Sequence, residues 1–185
     1  MHGAANGVQQ ERNCMIQTIE MQAAGRPELA GKYLTFQLGK EEFAVRVTQV
    51  REIMGIQEMT TVPQTPVFVK GVFNLRGRVV PIISLRLKLG ISEEPYTART
   101  CIIVVDMPGE SGVVPVGVVV DGVSEVVNLQ AADMEATPDF GRGRAAPYLL
   151  GMAKLKGKVK MLLDLDFVLT ATEVMGLEEI VPEVA

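Results

Sequence analysis

A fifteen-residue segment occurs twice in the chain, and this repeat restricts the possible folds more than any other feature of the sequence. Residues 71–85, GVFNLRGRVVPIISL, match residues 151–165, GMAKLKGKVKMLLDL, at a constant offset of 80 residues. Glu52 of VREIM has a counterpart 73 residues later, Glu125 of VSEVV. Similarity at one long spacing indicates two related supersecondary units. Each unit is too small to bury a large core alone, so we expect the two to pack on each other.

Each copy of the repeat has the pattern of a β-hairpin. In the first copy, two apolar runs flank the polar residues 74–78. Asn and Gly tolerate the positive φ that tight hairpin turns require, so Asn74 and Gly77 are expected to form the turn. The flanking runs are rich in β-branched residues and too short for a globular helix. The sequence therefore predicts a buried hairpin that presents Arg76 at its tip.

Other short apolar runs, separated by Gly and Pro, predict further strands. Residues 33–38 and 42–47 are expected to form a first hairpin, and residues 100–106 and 113–121 a second. In the latter, Val116, Val118 and Val120 would share one face. Regular short strands and few helices are typical of an all-β protein, and similar halves suggest two small barrels side by side with a groove between them.

Helices are expected only as short segments. Their predicted positions are residues 66–71, 84–89 and 166–172, while residues 50–54 suit either a strand or one helical turn. The composition of residues 1–30 predicts a flexible tail, either native or derived from an expression vector. Residues 131–147 are interpreted as a surface loop. Residues 173–185 contain four Glu and no Lys or Arg, which predicts a solvated acidic tail.

Several function classes lack the residues they would need. The net charge of −4 and the absence of a basic stripe argue against nucleic-acid binding. His2 is the single histidine, no CxxC pair occurs, and no phosphate-binding glycine loop precedes a helix. We therefore predict no catalytic residues, no metal and no cofactor. Reduced Cys14 and Cys101, with no signal or membrane-spanning segment, predict a cytoplasmic protein.

Four stretches follow one another in a specific order: YLTFQLGKEEFAVRVTQVREIM, TPVFVKGVFNLRGRVVPIISL, VGVVVDGVSEVVNL and YLLGMAKLKGKVKMLLDLDFVL. Together, over residues 31–172, they resemble the CheW family of bacterial chemotaxis coupling proteins. The resemblance implies two small five-stranded SH3-like β-barrels packed side by side, formed by pseudo-duplicated halves at about residues 31–91 and 99–172. It leaves open whether strands are exchanged between the halves.

The same resemblance implies an adaptor without enzymatic activity. Proteins of this family bind the cytoplasmic hairpin tip of chemoreceptors and the regulatory domain of the histidine kinase CheA, so that receptors control autophosphorylation. The implied location is the cytoplasm, with recruitment to receptor arrays at the inner membrane, without insertion, and with contacts between CheW copies. A CheW-like scaffold of a non-flagellar array, such as one controlling pili, is the alternative.

The resemblance also implies which residues bind the receptor. Arg76 matches the family arginine of NLRG, and Glu52 matches the glutamate of the VxEI segment. Four further residues match positions of a hydrophobic receptor groove: Val50, Val126, Cys101 and Ile102. By composition alone, Val50 and Val126 are equally typical of a core.

The role of Arg76 and the kind of ligand that the groove binds both remain open. Arg76 is either a solvated tip residue, a receptor contact, or a partner of Glu52 that braces the groove wall. A deep groove with converging polar groups would suit a small molecule instead of a receptor helix.

Overall fold

The described residues form two β-sheets, and each sheet contains a hairpin from the other half of the sequence. The computed structural model describes residues 27–135 and 146–181. Residues 1–26 of the tail predicted at 1–30, residues 136–145 of the loop predicted at 131–147 and residues 182–185 of the predicted acidic tail lie outside the described residues. The described strands are β1 Gly31–Leu38, β2 Glu41–Arg46, β3 Val50–Gly55, β4 Val69–Leu75, β5 Arg78–Ser84, β6 Cys101–Gly109, β7 Gly112–Val120, β8 Gly122–Leu129, β9 Met134–Glu135, β10 Leu149–Leu155 and β11 Lys158–Leu163. The α-helices are α1 Leu85–Lys88, α2 Leu165–Val168 and α3 Ala171–Ile180.

The prediction of an all-β fold with two packed units is confirmed. One sheet has five strands in the order β3-β6-β7-β5-β4, and the other has six in the order β8-β1-β2-β11-β10-β9. The sixth strand, β9, has two residues and was expected to be part of a loop. Residues 50–54, for which strand and helix were both open, form β3.

Each half of the sequence contributes one hairpin to the other half's sheet. The β1–β2 hairpin lies in the six-stranded sheet with β8 to β11, whereas β6–β7 lies in the five-stranded sheet with β3, β4 and β5. Two parallel pairings, β11 with β2 and β5 with β7, join strands from different halves. This resolves the open question of strand exchange. Neither half is therefore a barrel on its own.

The main hydrophobic core joins the two sheets. Val116, Val118 and Val120 lie in it together, which confirms that they share one face of β7. Two smaller clusters fill the separate sheets, one around Tyr33 and Leu129 and the other around Ile82, Ile102 and Val104. Burial of large aliphatic side chains on both inner faces is the dominant stabilising term of such a fold.

In both sheets, a segment of one or two residues pairs with the outermost long strand, which is β4 in one sheet and β10 in the other. In the five-stranded sheet, Thr60 and Val72 exchange backbone hydrogen bonds of 2.8 and 2.9 Å. In the six-stranded sheet, Glu135 of β9 pairs with Met152, which is the repeat counterpart of Val72. Gly71 stands next to the Thr60 bridge with a φ of +139°. A Cβ atom on Gly71 would lie 2.3 Å from the carbonyl oxygen of Thr60, so this approach requires glycine.

The predicted short helices are partly correct. Residues 84–89 contain α1, where Ser84 accepts a hydrogen bond from the backbone N–H of Leu87. Helix α2 begins at Leu165, slightly earlier than predicted, with Asp164 as its N-cap. The helix predicted over residues 66–71 is wrong: a turn closed by Val69 N to Pro66 O leads directly into β4. None of the helices in the described ranges is long and apolar enough to cross a membrane.

The solvated acidic tail predicted from residue 173 is wrong as far as residue 180. Thr170 and Glu173 form a capping box that starts α3. Val174 and Leu177 are buried in the main core, and Glu173 forms an ion pair with Lys88.

The N-terminal tail, predicted to end at residue 30, ends earlier in the chain. Leu29 is already buried, and its carbonyl accepts a hydrogen bond from the Tyr33 hydroxyl.

A partly buried ion pair holds the connector between the halves. Arg86 of α1 donates to both carboxylate oxygens of Asp121, at 2.8 and 2.5 Å, and to the carbonyl of Ser92 at 2.7 Å. Asp121 also accepts a hydrogen bond from the backbone N–H of Gly39 at 2.6 Å. Because Asp121 is the residue between β7 and β8, this network fixes the corner at which the chain passes from one sheet to the other.

This network predicts a loss of stability in acid. The hydrogen bonds from Arg86 outweigh partial burial and hold the pKa of Asp121 below its ordinary value of 3.8. The unfolded chain therefore binds more protons, and the stabilisation present at neutral pH is lost as the pH falls from about 4 through the folded pKa. We expect Asp121→Asn to lower the free energy of unfolding at pH 7 by about 2 kcal/mol and to flatten this acid dependence. Denaturant unfolding from pH 7 to pH 3 measures both; an unchanged slope in the variant would contradict the assignment.

Candidate functional site

The β4–β5 turn presents an arginine in a constrained backbone conformation. The side-chain oxygen of Asn74 accepts a hydrogen bond from the backbone N–H of Gly77 at 2.7 Å, which closes the turn. Gly77 has a φ of +86°, and Arg76 has a φ of +53°, in the left-handed region that L-residues rarely occupy. Strained positions of this kind often mark functional sites, because the surrounding structure must maintain them.

Arg76 forms a bidentate ion pair with Glu52 on β3. Its two terminal nitrogens donate to the two carboxylate oxygens at 3.2 and 2.8 Å. The Arg76 side chain is 78% exposed and that of Glu52 is 20% exposed. An ion pair this accessible contributes only about 0–1 kcal/mol to stability. The pairing therefore orients the guanidinium more than it stabilises the fold.

The surroundings of this pair are positively charged. A shallow cavity of about 470 Å³ is lined by the residues Arg51, Glu52, Leu75, Arg76, Arg78 and Pro115. Arg51 is also held in place, by a hydrogen bond from its Nε to Asp106 at 2.8 Å. Three guanidinium groups face two carboxylates, those of Glu52 and Asp106, and the remaining positive charge favours an acidic or carbonyl-rich partner surface.

The other predicted site residues are divided between the two sheets. Val50 and Cys101 are half-buried at the two ends of the β3–β6 pair, whereas Val126 lies on β8 of the six-stranded sheet and is 57% exposed. Burial raises the pKa of the Cys101 thiol, which is unsuited to a reactive role. Ile102 is completely buried, so the prediction of a direct groove contact is wrong for this residue. Its side chain supports the sheet from the core side.

Sequence reasoning identified Glu125 as the repeat counterpart of Glu52 but missed Ile53 and Lys156. Ile53, next to Glu52, is 45% exposed and occupies the repeat position of Val126. At the second hairpin tip, Lys156 has a φ of +50° and lies 3.8 Å from Glu125. This pair repeats the positions of Arg76 and Glu52 with a single, longer contact. The offsets of 80 and 73 residues were the signal that would have identified it.

The geometry of the described residues offers no sign of metal chemistry. Within residues 27–135 and 146–181, no group of three or more His, Cys, Asp or Glu side chains is placed to hold a metal ion. The side chains that do converge, at the two hairpin tips, are suited to contacts with another protein.

Comparison with known proteins decides the family. The family model described as "CheW-like domain" matches residues 32–173. This chain belongs to the CheW-like family. The CheW-like domain extends over both sheets as well as α1 and α2. Proteins of this family are scaffolds.

Individual relatives agree with this assignment. The chain is 39% identical over 142 residues to "Chemotaxis protein CheW" of Klebsiella aerogenes, covering 77% of this chain and 83% of the relative. It is 31% identical over 145 residues to "Protein FrzA" of Myxococcus xanthus, covering 78% and 86%. The crystal structure of scaffolding protein TtCheW from Thermoanaerobacter tengcongensis matches the CheW-like domain with a TM-score of 0.67, 27% identity, and coverage of 78% of this chain and 96% of that one.

Proposed function

We propose that this protein couples chemoreceptors to the histidine kinase CheA, as a cytoplasmic adaptor recruited to receptor arrays. The observation that best supports the proposal is the bidentate Arg76–Glu52 ion pair at an exposed hairpin tip of a CheW-like domain. No cofactor or catalysis is part of this role. The alternative is the same role in a non-flagellar array, to which the match with Protein FrzA points.

The arginine is proposed to contact the receptor while it remains paired. A guanidinium has five N–H groups, and the two hydrogen bonds to Glu52 leave the others available. Glu52 fixes the orientation of the group, so little entropy is lost when further acceptors bind. Suitable acceptors are carboxylates or exposed backbone carbonyls of a helical receptor tip.

Apolar contacts complete the proposed receptor site. The half-buried Val50 and Cys101 and the exposed Val126 would receive apolar side chains of a receptor helix, as in helix-in-groove recognition. Ile102 would support this surface from beneath. The regulatory domain of CheA, and other copies of the protein within an array, would contact the ends of the barrels.

Arg76→Ala tests the proposal. We expect the variant to unfold within about 1 kcal/mol of the wild type, because the ion pair is exposed. Loss of charge-assisted hydrogen bonds should weaken receptor binding about tenfold and reduce receptor-dependent kinase activation. The measurement is CheA autophosphorylation, with a receptor signalling-tip fragment, CheA and the full chain combined.

Lys156→Ala is the matched control for this experiment. It removes the cation from the repeat-equivalent position, where the side chain is equally exposed at 77%. We expect this variant to retain receptor binding and kinase control. Wild-type coupling by Arg76→Ala, or equal loss in both variants, would count against a specific role for Arg76.

A further inference from the structure

An open groove lies beside α3, at the same end of the five-stranded sheet as the Arg76 tip. It has a volume of about 490 Å³. β5 and β7 pair in parallel with Ile82 opposite Gly117, and this register brings the starts of the two strands side by side. The last turns of α3 form the other wall. The lining residues are Arg78, Val79, Pro81, Glu110, Ser111, Val113, Val114, Pro115, Met175, Glu178, Glu179 and Val181.

The apolar part of this groove is unusually exposed. Val113 on β7 is 56% exposed and Met175 on α3 is 38% exposed. The end of α3 is held against the β6–β7 turn, because the carboxylate of Glu178 accepts a hydrogen bond from the backbone N–H of Glu110 at 3.4 Å. Two apolar side chains on adjacent rigid elements form a ready surface for an apolar anchor.

The border of the groove is negatively charged. Three carboxylates, on Glu110, Glu178 and Glu179, face one cation, Arg78. Among the salt bridges between described residues, none includes any of these three carboxylates. Two of them also lie in the last turn of α3, where the helix dipole already contributes negative potential and no basic residue compensates it.

The groove is continuous with the candidate site. Arg78 and Pro115 line both this groove and the neighbouring cavity that contains Glu52 and Arg76. A partner segment bound at the Arg76 tip therefore reaches the groove without leaving the surface. The electrostatic character changes along this path, from an excess of one positive charge at the tip to an excess of negative charge beside α3.

We propose that the groove beside α3 binds a basic amphipathic segment of a partner protein. An apolar side chain of that segment packs on Val113 and Met175, and flanking Lys or Arg side chains pair with Glu110, Glu178 and Glu179. The inference rests on the proposed function, since the partner is a protein that also engages the Arg76 tip. It adds a second recognition element of opposite charge.

The test uses the full chain and two synthetic peptides of about 18 residues, long enough for five helical turns. One carries Leu at helical spacing i, i+3, i+4 with Lys on the flanks; the control carries Glu in place of Lys. Calorimetry should give an affinity about tenfold higher for the Lys peptide, decreasing with added salt. Amide NMR shifts should be confined to residues 78–80, 110–115 and 175–181.

Charge reversal at the groove supplies the decisive variant. Glu178→Lys/Glu179→Lys should weaken binding of the Lys peptide about tenfold or more. Val113→Ser tests the apolar part independently and should also weaken it. Circular dichroism melting verifies that both variants fold. Lys156→Ala, at the hairpin tip of the other sheet, should leave peptide affinity within about twofold. The peptides contain no receptor or CheA sequence, so failure of the proposed function, measured by the coupling of Arg76→Ala, and failure of the groove are distinguishable.

Several outcomes would overturn the groove assignment. These are equal affinity for the two peptides, shifts at other residues, or unchanged binding by the charge-reversed variant. Self-association of the wild type that the charge reversal abolishes, measured by sedimentation, would assign the groove to a second copy of this chain instead.

Discussion

Gly71→Ala should lower the free energy of unfolding by about 3 kcal/mol or more. Two costs combine at this position. The φ of +139° is unfavourable for any L-residue with a side chain. In addition, the new Cβ would lie 2.3 Å from the carbonyl oxygen of Thr60, a backbone atom that moves only if the Thr60–Val72 bridge opens. Chemical denaturation measures the loss.

Substitutions at two other glycines allow the cost of the positive φ and the cost of the close contact to be measured separately. Gly151 is the repeat counterpart of Gly71, but its Cβ would meet only a flexible atom, Cδ1 of Leu29, at 3.1 Å. Gly90 has a φ of +75° with open space around it. We expect Gly151→Ala and Gly90→Ala to cost about 1 kcal/mol each. If Gly71→Ala costs no more than these, the close approach to Thr60 is not what requires glycine.

Lys160→Met should destabilise the protein by about 3–5 kcal/mol. The Lys160 side chain is 4% exposed and donates to the 14% exposed carboxylate of Glu42 at 2.7 Å. These residues lie opposite each other on β11 and β2, one from each half of the sequence. Methionine keeps most of the volume but leaves the carboxylate buried without its partner. A thermal melt should show a decrease in Tm of about 10 °C.

The double variant Lys160→Met/Glu42→Gln is the control. The hydrogen bond from Lys160 holds the pKa of Glu42 below its ordinary value of 4.5, despite burial. Without Lys160, that pKa should rise, and a neutral amide should recover much of the lost stability. A double variant that is as unstable as the sum of its single variants would show that the pair is not coupled.

Local pattern was sufficient to predict the hairpins and the candidate tip. Asn74 and Gly77 belong to a turn signal that acts over four residues, and the apolar runs on either side of it placed Arg76 at the tip. Glu52 required the family resemblance, because nothing in a strand pattern distinguishes one exposed glutamate from another. The ion pair between Arg76 and Glu52 was one of three open interpretations, and the structure contains it.

Features that depend on distant partners were not predictable in this way. The exchange of hairpins rests on pairings such as Ile82 with Gly117, which leave no periodic signal in either strand. Ile102 and Val126 both fit an apolar groove by type, yet one is buried and the other exposed. Helix α3 was missed for a different reason. The acidic composition of the segment was taken to indicate a solvated tail. The Thr170–Glu173 capping box and the i, i+3 spacing of Val174 and Leu177, both visible in the sequence, indicate a helix.

The crossed hairpins also determine when this protein can finish folding during synthesis. The β1–β2 hairpin leaves the ribosome first, but the strands it pairs with, β8 and β11, are translated much later, up to Leu163. Until then its strand edges have no permanent neighbour, a condition that favours binding by chaperones or pairing with another nascent chain. Premature termination anywhere before β11 therefore leaves the first hairpin unpaired on the side that β11 covers, whatever has been completed in the middle of the chain.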